Sequence, residues 1–272
     1  MLYVFSKSSI GYSHINEKKP CQDYTATYKD PQRIIITCCD GHGGKKYVRS
    51  HIGSHMASNA IINVFTSIHH SFFRLKDEDI ENKIKLSILC EWNKLVEEQV
   101  SARPIRKSET PMLDEDEILA LKNNHTTAYG TTLTGALLLG NKLLVVKIGD
   151  TEVIGIRKGN LVDIFDNSDD PAANVTYSMC QDDAFKYLKV KILDFKDLDG
   201  IILCTDGLTS PYQSYDNFNK SFLKPMIKKI IDTNSLINVD EFIDKIASSL
   251  GVGDDVSLSF ILNDNIPKKY YK

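Results

Sequence analysis

The sequence predicts an α+β domain in which two mainly antiparallel β-sheets pack face to face with helices outside. Three observations predict it. Residues 131–165 read as consecutive strands joined by tight turns, which excludes the strand–helix alternation of a doubly wound sheet. Helical patterns come in pairs, one pair before that run and one after it. There is no internal repeat and no Pro/Gly-rich linker, so one domain covers residues 1–265 and leaves a polar tail at 266–272.

The elements follow in order. Residues 2–6 and 23–28 read as short strands and 33–39 as a buried one, Ile34-Ile35-Ile36-Thr37-Cys38-Cys39 being apolar nearly throughout. After Gly44 the period changes. Val48, Ile52, Met56, Ala60 and Val64, with Ala57 and Ile61 beside them, mark an amphipathic helix, and Ile80, Ile84, Ile88, Trp92 and Val96 mark a second. Residues 101–128 are a polar connection with a short helix near 114–123. Strands return at 131–139, 143–149, 152–157 and 161–165, turned by Asn141 and by Lys158-Gly159-Asn160. Residues 166–186 lack a sustained apolar period and read as a surface insert. Strands at 188–193 and 200–205 precede two helices, marked by Phe222, Met226, Ile227 and Ile230 and by Phe242, Ile243, Ile246 and Leu250. A strand at 256–262 closes the domain.

Bulk properties narrow the function. At 272 residues, with 42% hydrophobic and 25% charged residues, the chain has the composition of a soluble globular protein. A net charge of -3 argues against nucleic acid or an anionic membrane as partner. No apolar run reaches the roughly 18 residues that a spanning helix needs. The N-terminus lacks the charged lead and apolar length of a secretion signal, which points to a cytoplasmic protein. None of the six cysteines stands in a C-x-x-C pair, so neither a zinc site nor a dithiol redox motif is expected.

The chemistry lies in four acidic signatures: Asp40-Gly41-His42-Gly43-Gly44, Gly149-Asp150, Thr205-Asp206-Gly207 and Gly253-Asp254-Asp255. Each follows or precedes an apolar run. Carboxylates at the ends of buried strands, with glycines letting the backbone come close, form an oxygen cage for hard divalent cations. Lys45, Lys46 and Arg49 open the helix beside the first signature, either to attract phosphorylated protein or as solvated charge.

These signatures, with Gly130-Thr131-Thr132 and Asp254-Asp255-Val256-Ser257, occur in the order and spacing of the metal-dependent, type 2C-like serine/threonine protein phosphatases. Gly11-Tyr12-Ser13-His14 followed by Pro20-Cys21-Gln22-Asp23 is similar to a bacterial-type branch of that family. The resemblance runs from about residue 8 to residue 262 and implies α-β-β-α layers. It also implies hydrolysis of phosphoserine and phosphothreonine by metal-activated water on two Mg2+ or Mn2+ ions, with room for a third. By resemblance Asp40 bridges the two ions and the Gly41 carbonyl serves the second. Asp206 and Asp254 hold the first, Asp23 lies near the second, and Asp150 with Asp206 matches the third-ion position. His42 would protonate the leaving oxygen, a task suited to an imidazole. Asp255 would support Asp254 by hydrogen bonding. Residues 166–186 would be the variable flap beside the site.

The phosphate-binding end departs from the family pattern. Lys18 and Gln22 stand where many relatives have an arginine and a glutamate. Lysine supplies charge without the two-pronged hydrogen bonding of a guanidinium. Lys18 and His14 are therefore the candidates for phosphate contact. The resemblance implies a phosphorylated protein as substrate and a cognate kinase pathway, and a monomer is expected. Two rival readings stand beside this one: a degenerate, non-catalytic phosphoprotein-binding module, and a metal-dependent hydrolase of small phosphate esters.

Overall fold

Period-two alternation along the strands gives each sheet two apolar faces, and two such sheets lie back to back. The computed structural model describes residues 1–165 and 176–266. Residues 166–175 of the expected insert and 267–272 of the expected tail lie outside the described residues. The strands are β1 (Leu2–Ser9), β2 (Tyr24–Lys29), β3 (Arg33–Cys39), β4 (Leu133–Leu139), β5 (Lys142–Ile148), β6 (Glu152–Arg157), β7 (Asn160–Asp163), β8 (Lys189–Asp194), β9 (Gly200–Cys204) and β10 (Val256–Asn263). Among the described residues they form two five-stranded sheets, ordered β1-β10-β9-β6-β7 and β2-β3-β4-β5-β8. Every pairing is antiparallel. The α+β sandwich expected from the sequence is the fold observed.

The helices are α1 (Tyr12–Asn16), α2 (Ser50–Thr66), α3 (Asp77–Ala102), α4 (Glu115–Asn123), α5 (Ala184–Tyr187), α6 (Asp206–Thr209), α7 (Tyr215–Phe218), α8 (Lys224–Thr233) and α9 (Ile237–Lys245). Three apolar layers hold them to the sheets. Between the sheets lie Ile34, Ile36 and Cys38 of β3, Ala136 and Leu138 of β4, Leu143 and Val145 of β5, and Ile201 and Leu203 of β9. The alternate residues point outward. Ile35, Leu137, Leu144 and Val146 meet α2 and α3, while Ile202, Phe260 and Leu262 meet α8 and α9. Strands buried on both faces read as continuous apolar runs for this reason.

The α3 stripe is as the period predicts, with Ile80, Ile84, Ile88, Trp92 and Val96 all buried. On α2 the deepest face differs from the expected stripe. Val48, Ile52, Met56 and Val64 are only partly buried, while Ala57, Ala60 and Ile61 of the expected stripe lie innermost together with Ser50, Gly53, Ser54, Ser58 and Phe65. Small residues let this helix approach closely. A Cβ on Gly53 would stand 2.0 Å from the Tyr129 carbonyl oxygen. Hydrophobicity alone misses such a face because serine and glycine carry no apolar signal.

β1 also runs three residues beyond its expected end, pairing Ser8 with Ser257 and Ser9 with Val256. Toward this end the layer between the sheets turns polar. Ser259 donates to the Thr37 carbonyl at 2.7 Å, Ser257 to the Ser8 hydroxyl at 2.8 Å, and the Ser6 and Thr27 hydroxyls meet at 2.7 Å. The second part of the expected insert is packed: Met179 and Ala184 are buried, and Tyr177 stacks on Tyr187 at 3.7 Å.

Arg49 is neither solvated nor offered to a ligand. It is buried, its guanidinium gripping Glu109 at 2.7 and 2.9 Å, the Tyr129 hydroxyl at 2.6 Å and the Arg103 carbonyl at 2.7 Å. The connection at 103–109 is thereby tied to the start of α2. Lysine cannot reproduce a planar fork that makes these four bonds. Arg49→Lys is expected to cost about 2 kcal/mol, the scale of charge-assisted bonds left unmade, and urea unfolding against the parent checks it.

Candidate metal and phosphate cleft

The strand registers bring the acidic signatures together at one edge of the sandwich. β3 and β5 both pair antiparallel with β4, so they run the same way and their ends deliver Asp40 and Asp150 to the same side. Tyr24 pairs with Cys39, which sets Asp23 across from Asp40. In the other sheet Cys204 pairs with Leu258, so the residues after β9 meet those before β10, Asp206 beside Asp254. Asp40, Asp150, Asp206 and Asp254 line one open cleft of about 320 Å3, with His42, Gly43, Tyr47 and Thr176.

Hydroxyls fix the carboxylate-bearing backbone. The Asp40 carbonyl accepts from the Thr131 hydroxyl and the Thr132 amide, each at 2.8 Å, and the Asp40 amide donates to the Thr132 hydroxyl at 2.9 Å. Gly41 donates its amide to the Gln22 carbonyl at 3.1 Å. A Cβ there would lie 2.7 Å from the carbonyl oxygens of Gln22 and Ser50, so no larger residue fits. Thr205, preceding Asp206, donates its hydroxyl to Asp23 at 2.9 Å and accepts from the Ser257 amide at 3.0 Å. These threonines are invisible to a search for ligands. Their signal is their place beside Asp and Gly in the signatures.

The predicted residues are placed unequally. Asp23 is buried behind the cleft on Thr205, outside its lining. Asp150 is held by the Thr176 hydroxyl at 2.6 Å. Asp255 is buried and takes only donors: the Gly11 amide at 2.8 Å and the Gln22 amide at 2.6 Å, with its own amide donating to Asp254 at 2.8 Å. His14 lies with Nδ1 3.0 Å from Asp255 and Nε2 3.9 Å from Asp254, a close contact that is off-line for a hydrogen bond. Lys18 is exposed, at φ 57°, and is not among the lining residues. Lys45 is spent on Glu117 at 2.7 Å.

The electrostatics are one-sided. Burial, then the neighbouring Asp255, pushes the Asp23 carboxyl well above the usual range. Burial, then Asp23, Asp206, Asp150 and Asp254, does the same to Asp40. Asp206 is raised by burial and then by Asp150 and Asp254. Among the described residues, no lysine or arginine is in the lining of the cleft to offset this charge. The His42 ring rests on Tyr47 with centroids 4.9 Å apart, and burial pushes its pKa down although Asp150 pulls it back in part. A well of converging oxygens without a counter-cation suits hard divalent ions.

The sequence model of a family described as Protein phosphatase 2C matches residues 10–242. Among solved structures, the chain is similar to the serine/threonine phosphatase PstP/Ppp of Mycobacterium tuberculosis, with a TM-score of 0.58, 15% identity, and 96% of this chain and 98% of that one covered. It is similar to the serine/threonine phosphatase Stp1 of Staphylococcus aureus at a TM-score of 0.59 and 15% identity, covering 96% and 95%. A third, the catalytic domain of PstP in complex with two manganese ions, gives a TM-score of 0.55 at 16% identity and covers 96% and 97%. At these identities the likeness is one of fold. None of the curated proteins matches the sequence. Among the described residues no helix is long and apolar enough to cross a membrane.

Proposed function

The chain belongs to the protein phosphatase 2C family, and from that premise we propose that it is a Mg2+- or Mn2+-dependent phosphatase of phosphoserine and phosphothreonine in proteins. The observation that carries this reading is the convergence of Asp40, Asp150, Asp206 and Asp254 on one cleft, with no lysine or arginine in its lining among the described residues. The donor set is all oxygen, which favours Mg2+ or Mn2+ over zinc. Asp40, Asp206 and Asp254 with the Gly41 carbonyl would hold two ions. Asp150 would serve a looser third, and Asp23 would reinforce Asp40 from behind. Bound ions would supply neutralisation of the phosphate and a nucleophilic water at neutral pH.

The chain's own groups do the rest. His42 stands in the cleft wall, its amide held by the Gly130 carbonyl at 3.1 Å, and would give a proton to the leaving serine or threonine oxygen. Neither phosphate-binding candidate is among the residues that line the cleft; His14 at least lies beside Asp254, one of those that do, whereas Lys18 is exposed.

Two measurements test this. Phosphate release from a phosphothreonine peptide is expected with Mn2+, to vanish with chelator, and to be lost in Asp206→Asn. Activity that survives chelation, or a fully active Asp206→Asn protein, overturns the proposal. His42→Ala is expected to slow the phosphopeptide about 100-fold, the scale of general acid catalysis, while sparing p-nitrophenyl phosphate, whose leaving group needs no proton. A donor acts only while protonated, so phosphopeptide turnover should fall as pH rises through a His42 pKa below the usual imidazole value. Equal losses on both substrates exclude the proton-donor role.

A further inference from the structure

We propose that Gln22 is a positioning residue that fixes the His42 peptide against the start of α2, and that it does not stand in for a lost carboxylate ligand. The inference rests on the phosphatase reading for the role of His42. Its observations are independent of that reading.

Gln22 joins three parts of the site: the Asp40–Gly44 turn, the start of α2 and Asp255. Its amide nitrogen donates to the His42 carbonyl at 3.2 Å and to the Ser50 hydroxyl at 2.6 Å. Its carbonyl accepts from the Gly41 amide at 3.1 Å and from the Ser54 hydroxyl at 2.6 Å. Its own amide donates to Asp255 at 2.6 Å. A backbone carbonyl can only accept, so nitrogen must be the side-chain atom that faces His42. The side chain is absent from the cleft lining.

A glutamate here would have no hydrogen to give in its ionised form. It would set negative oxygen against the His42 carbonyl. Glutamine at this position is therefore explained by what it donates. The His42 peptide is gripped on both sides, its amide by the Gly130 carbonyl and its carbonyl by Gln22. The same residue links that peptide to Asp255, and hence to the backbone that carries Asp254. Without the Gln22 side chain, the Asp40–Gly44 turn keeps the Thr131 and Thr132 bonds to Asp40 and the Gly130 bond to the His42 amide, but loses the restraint on the His42 carbonyl.

Displacing a reacting group by about 1 Å can cost 100-fold. Gln22→Met, which keeps length and loses the amide, should lower kcat on a phosphothreonine peptide about 10- to 100-fold and change p-nitrophenyl phosphate turnover little. Combined with His42→Ala, it should cost the phosphopeptide nothing beyond His42→Ala alone, because both changes remove one proton-donor function. Gln22→Glu should behave like Gln22→Met and bind Mn2+ no more tightly than the parent in calorimetry.

Two results overturn the inference. One is Gln22→Glu binding Mn2+ about tenfold or more tightly, the scale of a gained ligand contact, with parent turnover or better. The other is equal loss on both substrates in Gln22→Met, or full multiplication of its loss with that of His42→Ala. A parent that turns over neither substrate defeats the proposed function, and the Mn2+ titration of Gln22→Glu then decides this inference alone.

Discussion

Asp40→Asn is expected to lower phosphopeptide turnover about a thousandfold, the loss of about 4 kcal/mol of transition-state stabilisation, while raising the melting temperature of the metal-free protein by a few degrees. Both effects come from one arrangement. Asp40 meets the repulsion of Asp23, Asp206, Asp150 and Asp254, and burial removes the water that would screen it. Its carboxyl is therefore raised well above the usual value of 3.8 in the folded protein. Between that value and the folded pKa, the folded state holds a proton that the unfolded chain has released. Stability of the metal-free protein accordingly falls as pH rises through this window.

An amide at position 40 removes this contribution, so the variant should show a shallower loss of stability with pH. Mn2+ should stabilise the parent strongly by mass action and the variant weakly. Melting curves with chelator and with Mn2+, across pH 5 to 8 (roughly the range of maximal protein stability), read all three effects. A variant that melts below the parent in chelator, or that gains as much from Mn2+, contradicts the role given to Asp40.

The second large effect is expected at Asp255, where nothing is catalysed. Asp255→Asn should cost about 3 kcal/mol, the scale for one charge-assisted bond replaced by a donor–donor clash and the other weakened in a buried place. By the usual scaling that is a drop of about 6–12 °C in melting temperature. One carboxylate oxygen accepts from Gly11 and the other from Gln22, with His14 close by. An amide supplies one acceptor, and its nitrogen must then face another N–H donor. Measured in chelator, this loss is separate from any change in ion binding. A change below about 1 kcal/mol, the range of a surface substitution, would show that Asp255 is not the brace described.

The contrast between neighbours Asp254 and Asp255 marks how far sequence reading reaches. Both follow Gly253, and the motif names them together. The period of β10 gives successive residues opposite faces, but the roles of these two depend on what arrives from elsewhere. Asp254 faces the cleft with Asp40, Asp150 and Asp206. Asp255 turns to meet Gly11 and Gln22 from the other end of the chain. Arg49 gives the same lesson. At the head of a helix after two lysines it reads either as solvated charge or as a lure for phosphorylated protein, yet Glu109, Arg103 and Tyr129 enclose it. Lys18 looks like the counterpart of a family arginine, and the turn after α1 leaves it exposed outside the cleft lining.

Local rules were enough for other features. Apolar runs long enough for one strand, the 3.6-residue stripe of α3 and the Asn141 and Lys158-Gly159 turns depend on neighbours within a few positions, so the sandwich and its flanking helices could be read directly. The serine and glycine face of α2 could not, because its fit depends on the sheet beneath it.

The sequence by itself determined the two-sheet architecture, the family and the set of acidic signatures at strand ends, because these depend on local period and on motif order. Tertiary structure decided which carboxylates share the cleft, that Gln22 and Asp255 brace it, and that Arg49 is buried. The physical reason is range. A hydrogen bond such as Gln22 to Asp255 joins residues 233 positions apart, and only the strand registers bring such partners within 3 Å of each other.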